Sequence, residues 1–112
     1  MNFKVVLLPG AKQNLREIDE YLSQFYESTP AKFFKELYKK LSMLKDHPHI
    51  GSPYLPNPKY RRVSVGDYLA FYIVDENKRL IEVHRVLHSR RDIEQHLSTP
   101  EKSSQVINQK TT

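Results

Sequence analysis

Cysteine is absent from these 112 residues, which removes disulfides and thiolate chemistry and fits a reducing compartment. Only three glycines occur, too few for a glycine-rich loop that cradles phosphate. No apolar run comes near the ~20 residues that a bilayer-spanning helix needs, so no membrane role is expected. The opening stretch from Met1 to Leu8 is apolar but stops at Pro9-Gly10. That is too short for the apolar region of a signal peptide, and no small-residue cleavage site follows. The expectation is a cytoplasmic chain.

What is present is a modest core and an excess of positive charge. Apolar residues make up 38% and the mean hydropathy is −0.65, enough for one compact domain. Eighteen Lys and Arg against thirteen Asp and Glu give a formal charge of +5. Such a balance favours polyanions or an acidic protein partner, although the same spread-out charge also serves solubility alone.

Residues 3–8 read as a short buried strand. From Ala11 the period changes: Ala11, Leu15, Ile18, Leu22 and Phe25 recur at helical spacing. Glu27 to Pro30 breaks this helix, and Thr29 as N-cap with Pro30 at the first helical position starts another. Phe34, Leu37, Leu41 and Leu44 form its apolar stripe. So short a connection makes an antiparallel αα-hairpin. Asp46 to Pro58 holds four of the seven prolines and reads as a surface loop with no regular element. Tyr60–Val65, Tyr68–Val74 and Leu80–His88 then alternate as strands. Gly66-Asp67 supplies a two-residue turn and Asp75 to Lys78 a polar one. Ser89, with Asp92 three residues on, resembles a capping box ahead of a short helix carrying Ile93 and Leu97.

The resulting class is α+β, in the order β-α-α-β-β-β-α. An N-terminal strand and αα-hairpin pack on a small, mainly antiparallel sheet. Residues 1–97 form the single domain, and 98–112 a polar tail expected to be disordered.

The middle strand is apolar on both faces: Leu69, Phe71 and Ile73 on one, Tyr68, Ala70, Tyr72 and Val74 on the other. The helical hairpin covers one face only. The proline-rich loop, the last helix or a partner chain must cover the other.

The densest cluster of chemically capable residues is His84-Arg85-Val86-Leu87-His88-Ser89-Arg90-Arg91. Arg90 and Arg91 stand where a helix begins, an end that favours anions. They either bind phosphate or carboxylate or pair with Asp92, Glu94 or Glu17. A metal site is not expected, because residues four apart on a strand are separated by about 13 Å. His47 and His49 lack a nearby acidic or thiolate ligand. Histidine acid–base chemistry assisted by arginine stays open, and RNA cleavage requires no more.

Taken in order, these segments resemble the RelE/ParE superfamily of bacterial toxin–antitoxin toxins. The resemblance runs from Phe3 to about Leu97. It rests on Phe3-Lys4-Val5-Val6-Leu7 followed by Ala11, Leu15, Ile18 and Tyr21. Next come Pro30-Ala31, Phe34, Leu37, Leu41, Leu44 and Pro48-His49-Ile50-Gly51. The last segments are Tyr60-Arg61-Arg62-Val63, Gly66 to Tyr72, and Val83 to Asp92.

The resemblance implies a growth-inhibiting toxin of a plasmid-stabilisation type, neutralised by a cognate antitoxin in a hetero-oligomer, with no cofactor. Leu69, Phe71 and Ile73 are then candidate antitoxin contacts, and Arg61, Arg62, Arg85, Arg90 and Arg91 candidate contacts to target or nucleic acid. RelE-like members cleave mRNA on the ribosome without a metal, whereas ParE-like members inhibit DNA gyrase by protein contact. RelE-like sequences usually carry an arginine in the segment matching Tyr68 to Tyr72, where this chain has Leu69. Loss of that cation removes charge stabilisation at a scissile phosphate and favours the gyrase inhibitor. In the alternative, a ribosome-dependent endoribonuclease, His84, Arg85, His88, Arg90 and Arg91 are the catalytic candidates. A third reading is an inactive toxin fold that only binds its antitoxin.

Overall fold

The computed structural model describes residues 2–25, 28–90, 93 and 97. Strand β1 (Lys4–Leu7) leads into helices α1 (Pro9–Leu22) and α2 (Ser28–Asp46). After a loop come β2 (Ser52–Pro53), β3 (Arg61–Val65), β4 (Tyr68–Asp75) and β5 (Leu80–His88). The sheet order is β1-β5-β4-β3-β2, with β1 parallel to β5 and every other pair antiparallel. The α+β class and the meander follow the sequence expectation.

Four local readings change. Pro9 opens α1 rather than preceding it, since an N–H at the first helical position has no intrahelical acceptor, so proline forfeits no bond there, and its φ suits the helix. The helix ends at Leu22, and Phe25 lies beyond it, largely exposed and edge-on to Tyr21. Helix α2 begins at Ser28, so Thr29 and Pro30 fall in its first turn rather than at its cap. Within the proline-rich loop, Ser52 and Pro53 pair with Arg62 and Arg61 to make a fifth strand, where a loop without regular structure was expected. Two residues paired to a partner about ten positions away leave no periodicity to read.

The turns behave as their chemistry dictates. Gly66 has φ +61°, the left-handed conformation that glycine adopts without steric cost. In the β4–β5 turn the Asp75 carboxylate accepts the Lys78 N–H at 3.1 Å, and Arg79 takes φ 51°.

Two cores sandwich the sheet. On the helix side Ala11, Leu15 and Ile18 of α1 and Phe33, Leu37 and Leu44 of α2 pack on Val65, Ala70, Tyr72, Ile81, Val83 and Val86. Each large apolar side chain so buried contributes about 1.5–3 kcal/mol. On the other side Tyr54 and Tyr60 of the loop, with Leu97, cover Phe71 and Leu87, flanked by Leu69, Ile73 and Ile93. The loop and Leu97 thus cover the second apolar face of β4 within the chain itself. Ile93 and Leu97 have helical backbone. The remaining parts of the Ser89–Asp92 capping reading, and the tail 98–112, lie outside the described residues. No helix among the described residues is long and apolar enough to cross a membrane.

Candidate functional site

The arrangement of the basic cluster is decided by one register step. Phe71 stands opposite Arg85, but its neighbour Tyr72 stands opposite Val83. His84 is therefore the extra residue of a β-bulge, a device that re-aims side chains. Val83 before the bulge and Val86 after it both enter the helix-side core. His84 and Arg85 go to the opposite face. There the His84 ring meets Tyr60 edge-on at 5.3 Å, with Nε2 lying 3.7 Å from a Glu82 carboxylate oxygen. Arg85 donates from its guanidinium to the His84 carbonyl at 2.9 Å. Across the sheet Arg62 pairs with Phe71 from the β3 side, so Arg62, Phe71 and Arg85 form one cross-strand row. The Arg62 guanidinium lies 5.9 Å from the Tyr54 ring centroid, within cation–π range.

His88 belongs elsewhere. It pairs with Tyr68 and packs edge-on to that ring at 5.2 Å, beside α1 on the helix side. Its Nδ1 accepts the Arg90 backbone N–H at 3.1 Å, which leaves the ring proton of the neutral imidazole on Nε2. The two histidines proposed as alternative proton shuttles thus face opposite sides of the sheet. Among the described residues no group of three His, Cys, Asp or Glu side chains could hold a metal ion.

The other candidates divide in the same way. Arg61 lies opposite Tyr72 and donates to the carbonyls of His49 at 3.2 Å and Gly51 at 2.6 Å. Its guanidinium ties down the loop. Arg90 is exposed, and Arg91 lies outside the described residues. Phe71 is fully buried, with Leu69 and Ile73 partly buried beside it. Within this chain Tyr54, Tyr60 and Leu97 pack over the Leu69–Phe71–Ile73 face, because the loop folds back across β4.

A feature missed in the sequence lies on the helix side, where a cavity of about 430 Å³ opens between α1 and the ends of β4 and β5. Asn14, Glu17 and Tyr21 approach it from α1, Tyr68 and His88 from the sheet. Asn14 Oδ1 accepts the Val86 N–H at 3.0 Å and fixes the helix to β5 just past the bulge. Burial, then the neighbouring Tyr21 and the Asp67 charge, push the Tyr68 phenol above its ordinary pKa. The spacing of Asn14, Glu17 and Tyr21 on one side of α1 was the only available signal.

Comparison with known proteins agrees with this architecture. Residues 5–93 match the family described as the ParE toxin of type II toxin–antitoxin systems, parDE. The chain belongs to this ParE toxin family. Toxin ParE1 of Mycobacterium tuberculosis, from strains CDC 1551 / Oshkosh and H37Rv, is 30% identical over 99 residues. That alignment covers 87% of this chain and 100% of the relative. Two solved structures share the fold. One is the toxin–antitoxin complex RelBE2 from Mycobacterium tuberculosis, at TM-score 0.53 and 18% identity over 79% of this chain and 99% of that one. The other is the isolated E. coli RelE toxin, at TM-score 0.57 and 16% identity over 86% and 95%. The chain is a RelE/ParE-superfamily toxin, on the ParE side by family.

Proposed function

We propose that this ParE-family toxin arrests growth by binding DNA gyrase as a protein inhibitor, in the cytoplasm, and that a cognate acidic antitoxin neutralises it. The observation that carries this reading is the division of the basic cluster by the bulge at His84. A metal-free nuclease needs a proton-transfer group and phosphate-holding cations converging on one point. Here His88 and His84 lie on opposite faces, and Arg61 is held by loop carbonyls. Leu69, where a RelE-like chain usually carries arginine, packs into the second core. Inhibition by surface contact needs no such convergence. Arg62, Arg85, Arg90 and Arg91 are assigned to target contact, and the partly exposed edges at Leu69 and Ile73 to the antitoxin.

One observation favours the endoribonuclease as a second reading. Arg62 and Arg85 flank Phe71 on the face that carries His84 and Glu82, so two cations and a histidine do share one surface.

Induced expression without antitoxin, with pulse labels for DNA and protein synthesis, separates the two. DNA synthesis falls first if gyrase is the target, and purified toxin then inhibits gyrase supercoiling. Early collapse of translation with truncated mRNAs overturns the proposal in favour of the nuclease. Unimpaired growth overturns both and leaves an inactive toxin fold.

A further inference from the structure

The cavity between α1 and the ends of β4 and β5 has a chemical character opposite to the rest of the chain. Its floor is apolar, made by Ile18 and Val86, both buried. Tyr21, Tyr68 and His88 line its walls. Glu17 supplies a carboxylate, with Gln13 donating to one of its oxygens at 3.1 Å. Arg16 points away, bonded to Gln13 and lining the separate groove between α1 and α2. Arg90, two residues past His88, is exposed and does not line the cavity. In a protein of charge +5, the formally charged residue that lines the cavity among the described residues is therefore an acid.

Aromatic faces carry negative quadrupole charge and attract cations, more strongly where water is partly excluded. An apolar floor beneath them suits the methylene stem of a long cationic side chain. A guanidinium both stacks on rings and forks onto a carboxylate, which a compact ammonium cannot do. Outside the cavity Tyr21 continues into Phe25, edge-on at 5.2 Å, both rings more than half exposed. This shelf extends the apolar surface along the end of α1, as a bound chain segment requires and a free small molecule does not.

From these features we infer that the cavity receives the arginine side chain of a partner polypeptide, stacked among Tyr21, Tyr68 and His88 and paired to Glu17. The site is independent of which macromolecule the toxin inhibits.

The test uses the full-length toxin with its aromatic side chains observed by NMR. The probe is the blocked tripeptide acetyl-Gly-Arg-Gly-amide, with citrulline and lysine versions as comparators. The arginine peptide should give saturable shifts at Tyr21, Tyr68 and His88, with a dissociation constant of about 1 mM for one anchoring side chain. The uncharged citrulline peptide should bind roughly tenfold or more weakly, and lysine should fall between them. Glu17→Gln, an isosteric change on an exposed helix position, should weaken the arginine peptide by about tenfold without altering the melting temperature. Absence of saturable shifts at these rings overturns the inference. So does equal binding of citrulline, or undiminished binding by Glu17→Gln. Lysine binding as tightly as arginine would overturn the guanidinium assignment.

Discussion

The Gly51 N–H donates to the Tyr72 hydroxyl at 3.0 Å, in the buried angle between the proline-rich loop and the sheet. The same hydroxyl donates onward to the Pro48 carbonyl at 2.9 Å. One phenol from the central strand thereby fastens both ends of the Pro48–Gly51 turn, and Arg61, the cross-strand partner of Tyr72, donates to the turn's His49 and Gly51 carbonyls. That loop leads to Tyr54 and Tyr60, which cover the second core.

Removing the hydroxyl tests the fastening. Tyr72→Phe keeps the ring but leaves the Gly51 N–H and the Pro48 carbonyl without this partner, so it should cost about 1–3 kcal/mol. Urea denaturation measures the loss. Hydrogen exchange at the Gly51 amide should quicken by more than the global loss explains, because the turn opens locally.

A methyl group at position 51 meets the same fastening from inside. A Cβ there would stand 2.6 Å from both the Arg62 carbonyl oxygen and the Tyr72 hydroxyl. The carbonyl belongs to β3 and cannot swing aside. Gly51→Ala should therefore destabilise the fold by about 1–3 kcal/mol. Combined with Tyr72→Phe, it should still lower the denaturation midpoint below that of Tyr72→Phe alone, since the carbonyl contact persists.

Alkaline pH offers an independent readout. Burial raises the Tyr72 phenol above its ordinary 10.0, opposed by the Gly51 N–H bond and the Arg61 charge; Tyr68 is raised as well. A raised phenol pKa means that the fold favours the neutral form. The stabilisation is complete below the unfolded value near 10 and is lost as pH climbs through the higher folded value. Stability should stay level on this account through neutral pH and fall above pH 10. The decline should be shallower in Tyr72→Phe, and phenolate absorbance should show late-ionising tyrosines that merge with the rest on unfolding.

Phe71 distinguishes a core from a contact surface. As a fully buried ring packed edge-on against Tyr54 at 5.6 Å, it should cost about 3–5 kcal/mol on truncation to alanine. A surface contact residue would cost within about 0.5 kcal/mol. Thermal denaturation of Phe71→Ala decides between the two.

The basic pair Arg90 and Arg91, the first of them exposed, should affect function without affecting the fold. Arg90→Ala with Arg91→Ala should leave stability within about 0.5 kcal/mol of the parent and, if gyrase is the target as proposed, weaken its inhibition roughly tenfold, mainly through slower association. If mRNA cleavage is the activity, the same pair should abolish it while antitoxin binding persists. Supercoiling and primer-extension assays on the purified variant read the two outcomes.

Much of this molecule is local in origin and so was open to reading from the chain. The 3.6-residue stripe of Ala11, Leu15 and Ile18, the glycine at the β3–β4 turn and the two-residue alternation of β4 each depend on near neighbours. Together they define the α+β order, and the sum of the segments points to the RelE/ParE superfamily. The double apolar face of β4 also announced that a second layer had to exist.

Which residues share a face was decided elsewhere. His84, Arg85 and His88 look like one cluster along the chain, but a one-residue register step against β4 sends the first two to one side and the third to the other. That step is a property of the pairing between two strands. The two-residue β2 and the closing of the loop over Phe71 are likewise set by contacts with β3 and β4. The cavity at Glu17 and His88 joins residues more than seventy positions apart. Composition and period name the elements and the surfaces to be buried; only the packed sheet assigns each charged or aromatic side chain to its face.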